Sequence, residues 1–248
     1  MLVGLVSAKG SPGVTTAALA LGSQWPRRAL VLEADPFGGD VRAGLAGGSW
    51  PATAGIADAV ADLRTAGMDE TLRRRVHRPA PHAPAVLAGV GSVGQASTVP
   101  WGQIGASLGR LRGADTIADC GRFALADGVA PLLSNCDVLV LVTGSTLRAA
   151  RSTSRIAPRL RDELGVSPDD GRVSVLVVGP GEPYTTAEVA SGCDVPGLGE
   201  LPRDPRAAAV WSDGARPDRS FDRSPLQRAA QSLAGRLFRA HRTSDGVA

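Results

Sequence analysis

"SAKGSPGVTT", residues 7–16, follows the apolar run "LVGLVS" (2–7) and leads into the alanine- and leucine-rich stretch "AALALG" (17–22). A strand, a glycine-rich loop and a helix opening on a hydroxyl residue form the setting in which backbone N–H groups cradle phosphate. The usual pattern for such a loop is G-x-x-x-x-G-K-[ST]. In that register Ala8 takes the first glycine, Gly13 the second, Val14 the lysine and Thr15 the hydroxyl. A lysine is still present, but it is Lys9, five residues earlier and inside the loop. Read alone, the stretch is also compatible with a plain strand-to-helix turn that uses glycine and proline as turn residues.

Working outward, short apolar runs alternate with helical segments along the whole chain. Strands are expected at 2–7, 29–34, 84–90, 115–120, 138–143, 173–179 and, more weakly, 197–202. Helices are expected at 15–24, 55–66, 101–112, 125–134, 146–163, 186–191, 205–211 and 224–241. The strands are apolar on both faces, as in a parallel sheet covered by helices on both sides. The expected fold is therefore α/β, a single doubly wound, mostly parallel sheet. One domain over residues 1–242 is expected, with 243–248 as a flexible tail.

The bulk composition narrows the functional classes. Of the 248 residues 43% are hydrophobic but only 4% aromatic, so the core rests on Leu, Val and Ala, and base stacking on rows of aromatics is disfavoured. A net charge of +3 is too mild to mark an obligate nucleic-acid binder. Cys120, Cys136 and Cys193 are far apart and form no C-x-x-C pair, which argues against zinc or a disulfide framework and suits a reducing, cytoplasmic setting. No signal peptide is read at the start, and the longest apolar run, "VLVLV" (138–142), is far too short to span a membrane. All but one of the 27 basic side chains are arginine, and the single lysine falls in the glycine-rich loop.

Two further segments carry acids where strands end and ligand crevices form. "LEADPFGGD" (32–40) supplies Glu33 and Asp35, and "IADCG" (117–121) supplies Asp119. A carboxylate at the position of Asp119 can hold magnesium through water. Each acid taken singly is equally compatible with an ordinary turn or strand-end residue; the three in this order behind a phosphate loop form a pattern.

These segments resemble the MinD/ParA family of P-loop ATPases. "KGSPGVTT" is similar to the family's deviant Walker A motif, KGG-x-GK-[ST]-T. "LVLEADPFGGD" resembles its switch I, "TIADCG" its switch II, "DVLVLVTGSTLRAARS" the strand and helix that follow, and "LGELPRDPRAAAV" the segment lining the adenine. The LPRDP ending and the damaged loop most resemble the TadZ/CpaE-like branch, which positions pilus and secretion machinery. The resemblance implies ATP and Mg2+ as cofactors and a sandwich homodimer. It makes Lys9 the signature lysine that reaches the partner subunit's nucleotide, and Asp35 the acid that positions the attacking water. Nucleotide-binding positions by the same resemblance are Lys9, Gly10, Ser11, Pro12, Gly13, Val14, Thr15, Thr16, Pro202 and Asp204. Thr15 and Asp119 are the implied Mg2+ residues, and Glu33 stands where the first acid of the switch I pair is usual.

The departures from the pattern are as informative. Val14 replaces the lysine that neutralises phosphate charge in cis, and loss of one preorganised donor at developing charge typically lowers a rate about 10²–10³-fold. Ser11 replaces a glycine, Pro12 removes an N–H donor, and Gly179 stands where an Asn commonly reads adenine. Two readings follow. In one, Lys9 with Arg122 or Arg148 supplies the missing charge, and ATP binds with slow hydrolysis. In the other, the site is vestigial and the chain is a non-hydrolysing, dimerising scaffold that recruits an unidentified protein partner.

Partners beyond a homodimer are less defined. The stretch 225–242 places Leu226, Ala230, Leu233 and Leu237 on one stripe beside several arginines. It reads chiefly as a last helix packed on the sheet, with peripheral membrane contact as the minority reading. "LRRRVHR" (72–78) reads as a solvated helix end, with non-specific DNA contact as its alternative. His77 and His82 lack a third ligand nearby, so a metal site there is not expected.

Overall fold

The computed structural model describes residues 1–10, 12–51, 53, 55–123, 128–167 and 170–245, with the backbone alone for 242–245. Seven strands, β1 (Leu2–Ser7), β2 (Ala29–Glu33), β3 (Ala85–Leu87), β4 (Asp115–Arg122), β5 (Val138–Gly144), β6 (Val173–Val178) and β7 (Gly197–Leu201), form one sheet. The order is β3-β2-β4-β1-β5-β6-β7, and every pairing between named strands is parallel. β1 therefore sits in the middle. The chain leaves it for β2 and β3 on one side and later fills β5 to β7 on the other. Such a reversal opens a crevice at the carboxyl ends of the central strands.

Strand alternation sorts the core into two layers. Val3, Leu5, Val31, Ile117, Val140 and Leu176 face one side, which is covered by α1 (Val14–Ser23), α9 (Pro205–Ser212) and α10 (Pro225–Asp245). Leu2, Val6, Leu32, Ala118, Leu141 and Val175 face the other. That layer is covered by α2 (Ile56–Asp62), α5 (Trp101–Gly109), α6 (Ala130–Leu133), α7 (Leu147–Leu164) and α8 (Thr186–Cys193). α1 lies so close to β2 that a Cβ at Gly22 would stand 2.6 Å from Val31 Cγ2.

The doubly wound sheet is as expected, with differences at the edges. β3 is three residues long rather than seven; its middle residue Val86 also bridges His77, and Ala88 just beyond it bridges Gly55. Two further helices appear: α3 (Met68–Arg75), of which only an end within 72–78 is expected, and α4 (Val93–Ala96), which is not expected. α6 is a single turn, and residues 124–127 of the expected helix 125–134 lie outside the described residues. α10 runs through Asp245, and residues 246–248 of the expected tail 243–248 lie outside the described residues.

The packing reading of the last helix holds. Leu226, Ala230, Leu233 and Leu237 are all buried in the layer shared with α1. The minority reading, membrane contact through residues 225–242, thus loses the apolar face it required. Among the described residues no helix is long and apolar enough to cross a membrane. Cys120, Cys136 and Cys193 are free thiols in the core.

Candidate functional site

The glycine-rich loop leaves β1 at Ser7 and enters α1 at Val14. Gly10 (φ 75°) and Gly13 (φ 93°, ψ 39°) both take left-handed conformations that a side chain disfavours. Gly13 is the N-cap of α1. The helix start has no side-chain cap and no acid in its first turn, so its N–H groups remain available to an anion. Val14, in the place of the cis lysine, is buried in the apolar layer under α1. Thr15 and Thr16 follow it on the helix and line the crevice. Ser11 lies outside the described residues.

Three acids converge behind the loop because β2 and β4 are in register, with Glu33 opposite Asp119. Asp119 is 1% exposed. It accepts hydrogen bonds from the Thr15 hydroxyl and from Gly121 N at 3.1 Å. Burial, with Glu33 and Asp35 adding negative charge, outweighs these bonds and pushes its carboxyl up to about 7. Asp119 does not line the crevice; Thr15 stands in front of it.

Glu33 behaves differently from a switch acid. It is buried, Oε1 accepts from Val41 N at 2.9 Å and Oε2 from Gly89 N at 2.8 Å. One carboxylate thus pins the loop after β2 to the loop after β3. Burial raises its pKa against these two bonds. The fit is so close that a Cβ at Gly39 would fall 2.0 Å from Glu33 Cδ. Asp35, by contrast, lines the crevice. Its Oδ1 accepts from Phe37 N at 2.9 Å, and it lies against the Gly121 backbone, where a Cβ would stand 2.0 Å from Oδ2.

Two cavities meet at Gly13 and Thr16. The larger, about 570 Å3, extends from the loop to Asp35, Phe37, Asp40 and Arg122. The smaller, about 280 Å3, runs between the start of α1 and the ends of β5, β6 and β7, with Pro12, Pro202, Arg203 and Asp204 in its wall. Of the two arginines considered as a source of compensating charge, Arg122 lines the larger cavity, with its guanidinium 5.1 Å from the Phe37 ring centroid. Arg148 is exposed on α7 and lines neither cavity. Lys9 is also exposed and outside both walls.

Pro202 and Asp204 are both in the smaller cavity's wall, but the Asp204 carboxylate is engaged elsewhere. Oδ1 accepts from Ala207 N at 3.2 Å as the α9 N-cap, and Oδ2 accepts from Leu226 N at 3.4 Å. The residue that sequence reading passed over is Arg203, between them. Its side chain crosses Gly179, where a Cβ would stand 2.6 Å from Arg203 Nε. The only sequence signal for it was its place inside the quoted LPRDP segment.

The remaining sequence features are accounted for by packing. His77 stacks on Trp50 with centroids 5.2 Å apart, and His82 lies 5.6 Å from Phe221 and 5.7 Å from Trp211. In the 72–78 cluster Arg74 pairs with Glu70, and Arg75 binds Asp62 at 2.7 Å, which neutralises part of the charge offered to DNA.

No protein-family model matches the sequence, and comparison with curated proteins gives no match. Solved structures do match in three dimensions. MinD, the septum site-determining protein of Pyrococcus horikoshii complexed with Mg-ADP, superposes with a TM-score of 0.72 at 17% identity, covering 95% of this chain and 95% of that one. A ParA family ATPase from Chlorobium tepidum gives 0.70 at 16% identity, covering 94% and 98%. An ATP complex of Cyanothece McdA gives 0.64 at 14% identity, covering 95% of each. Likeness at such identities speaks for architecture: this chain has the fold of the MinD and ParA ATPases.

Proposed function

We propose that the chain is a member of the MinD/ParA family that works as a nucleotide-dependent dimerising switch, binding a nucleoside triphosphate with Mg2+ and turning it over slowly at most. The observation that carries this reading is the division of charge at the loop. Val14 is buried in the core, while Lys9, the single lysine, is exposed outside both cavities and available to a second copy of the chain.

The residues present fit the implied ligand. The uncapped start of α1 and the left-handed glycines would receive the phosphates. A hydrated Mg2+ would take the Thr15 hydroxyl directly and Asp119 behind it through water, and it would supply the positive charge that this carboxylate lacks. The larger cavity's wall holds Asp35 and Asp40 against one cation, Arg122, so a triphosphate without Mg2+ would meet net repulsion. Asp35, in the wall of the larger cavity, would orient a water, and Glu33 is a positioning residue that keeps the surrounding loops in place. MinD and McdA bound to ADP or ATP among the structural neighbours support the same ligand class.

The second reading, a non-hydrolysing scaffold that recruits a protein partner, is favoured by the same Val14. The resemblance to the TadZ/CpaE-like branch points to placement of pilus or secretion machinery in the cytoplasm or at a pole. Salt-sensitive retention on DNA would favour partition instead.

Calorimetry of the purified chain with Mg2+ and ATP, ADP or GTP tests the switch against a scaffold with a vestigial site. Heat of binding that requires Mg2+ is expected; silence with every nucleotide would remove the switch. Measurable phosphate release separates the first reading from the second.

A further inference from the structure

The smaller cavity has few groups with which to choose a ligand. It is continuous with the phosphate side at Gly13 and Thr16, so a nucleotide whose phosphates sit on the loop would lay its base there. The walls are mainly apolar: Pro12, Ala17, Val178, Leu201, Ala208 and Leu226. Thr16, Arg203 and Asp204 are the polar side chains that line it. Thr16 stands at the phosphate end, and both Asp204 oxygens are committed to backbone N–H groups of Ala207 and Leu226. Among the described residues Arg203 is the one cationic side chain in the wall; it crosses Gly179 and is largely exposed, with a Glu182 oxygen 3.9 Å from Nε.

We propose that Arg203 sets the base specificity of this site, favouring purines that present two adjacent acceptors, as guanine does, over adenine. The inference rests on the nucleotide reading above and refines the base it takes. A guanidinium carries only donors. It matches the O6 and N7 acceptors of guanine, whereas adenine offers N7 beside an N6 amino group that is itself a donor. An amide side chain, with one donor and one acceptor, would suit adenine. At Gly179 there is no side chain to supply one, and Arg203 occupies the space where it would start.

The test is titration calorimetry of the full chain with the Mg2+ complexes of GTP, ITP, ATP and inorganic tripolyphosphate. Wild type and Arg203→Ala are compared, with melting curves to show that both are folded. ITP keeps O6 and N7 but lacks the guanine amino group, so it isolates the acceptor pair. Wild type is expected to bind GTP and ITP about tenfold more tightly than ATP, within the discrimination one bidentate pair supplies. Arg203→Ala should bring all three within about twofold of one another and leave tripolyphosphate binding unchanged. An ATP preference, or a GTP-to-ATP ratio that Arg203→Ala does not alter, overturns the proposal while leaving the nucleotide site standing. Failure of every ligand, tripolyphosphate included, overturns the nucleotide reading and the proposal with it.

Discussion

The two ends of β4 hold buried aspartates in opposite electrostatic surroundings. At the amino end, Asp115 is fully buried yet surrounded by donors. Arg27 Nε stands at 2.6 Å, Trp25 Nε1 at 2.8 Å and the Met1 amino group at 2.8 Å. Burial alone would raise its pKa, but these partners, Arg27 foremost, bring it down to about 2. At the carboxyl end, Asp119 is as deeply buried and has no cation among the described residues, so burial raises it to about 7. One end of the strand is complete as an ionic site. The other is complete only when something positive arrives. A fold can satisfy a carboxylate when its task is structural and leave one unsatisfied where a ligand binds.

The largest effect expected is at the satisfied end. Asp115→Asn should destabilise the fold by about 2–4 kcal/mol, tempered by the partial exposure of Arg27, as judged by urea denaturation. A change under half of that would mean the ion cluster is ornamental. At the other end the sign reverses. Asp119→Asn removes a carboxylate that burial disfavours, so the nucleotide-free protein at pH 8 should gain about 1–3 kcal/mol while losing its Mg2+-dependent nucleotide affinity. Loss of stability in that variant would show that the folded chain already compensates the buried charge.

Glu33→Gln lies between these cases. The amide can accept from only one of the two N–H groups at Val41 and Gly89, so a loss of about 1–2 kcal/mol is expected. Because Glu33 positions loops and lines neither cavity, nucleotide affinity should fall less in this variant than in Asp119→Asn.

The same two aspartates set opposite pH dependences. Asp115 is depressed, so its contribution is present above the ordinary carboxylate value and lost as pH falls towards about 2. Asp119 is raised, so the nucleotide-free fold is most favoured at low pH and loses stability as pH rises through about 7. Together they predict a stability maximum near the ordinary carboxylate value, at about pH 4. Asp115→Asn should flatten the acid limb and Asp119→Asn the alkaline limb, each measured by thermal melts across pH.

The same contrast marks what could be read from the sequence. The doubly wound sheet was legible because β1, β5 and β6 are continuous apolar runs, and the loop at 7–16 because its glycines sit at fixed spacing. α3 was legible only at its end, because "MDETLRRR" is mostly charged and buries only Thr71 fully, so no apolar periodicity announces it. Glu33 sat in the right segment but its work is set by Gly89, 56 residues away, and sequence spacing does not report that loop-to-loop distance. Arg203 was hidden for the same reason, since its role depends on lying over Gly179 on a different strand end.

The central claim is that charge lost in cis at Val14 is restored from a second copy through Lys9. The direct measurement is the solution mass of the chain, by light scattering, with and without the Mg2+ complexes of ATP and GTP, for wild type and Lys9→Ala. Wild type should shift from monomer to dimer with at least one of the two nucleotides, and Lys9→Ala should bind nucleotide yet stay monomeric. A wild-type chain that binds nucleotide and remains a monomer, or a Lys9→Ala chain that dimerises as wild type does, would contradict the account.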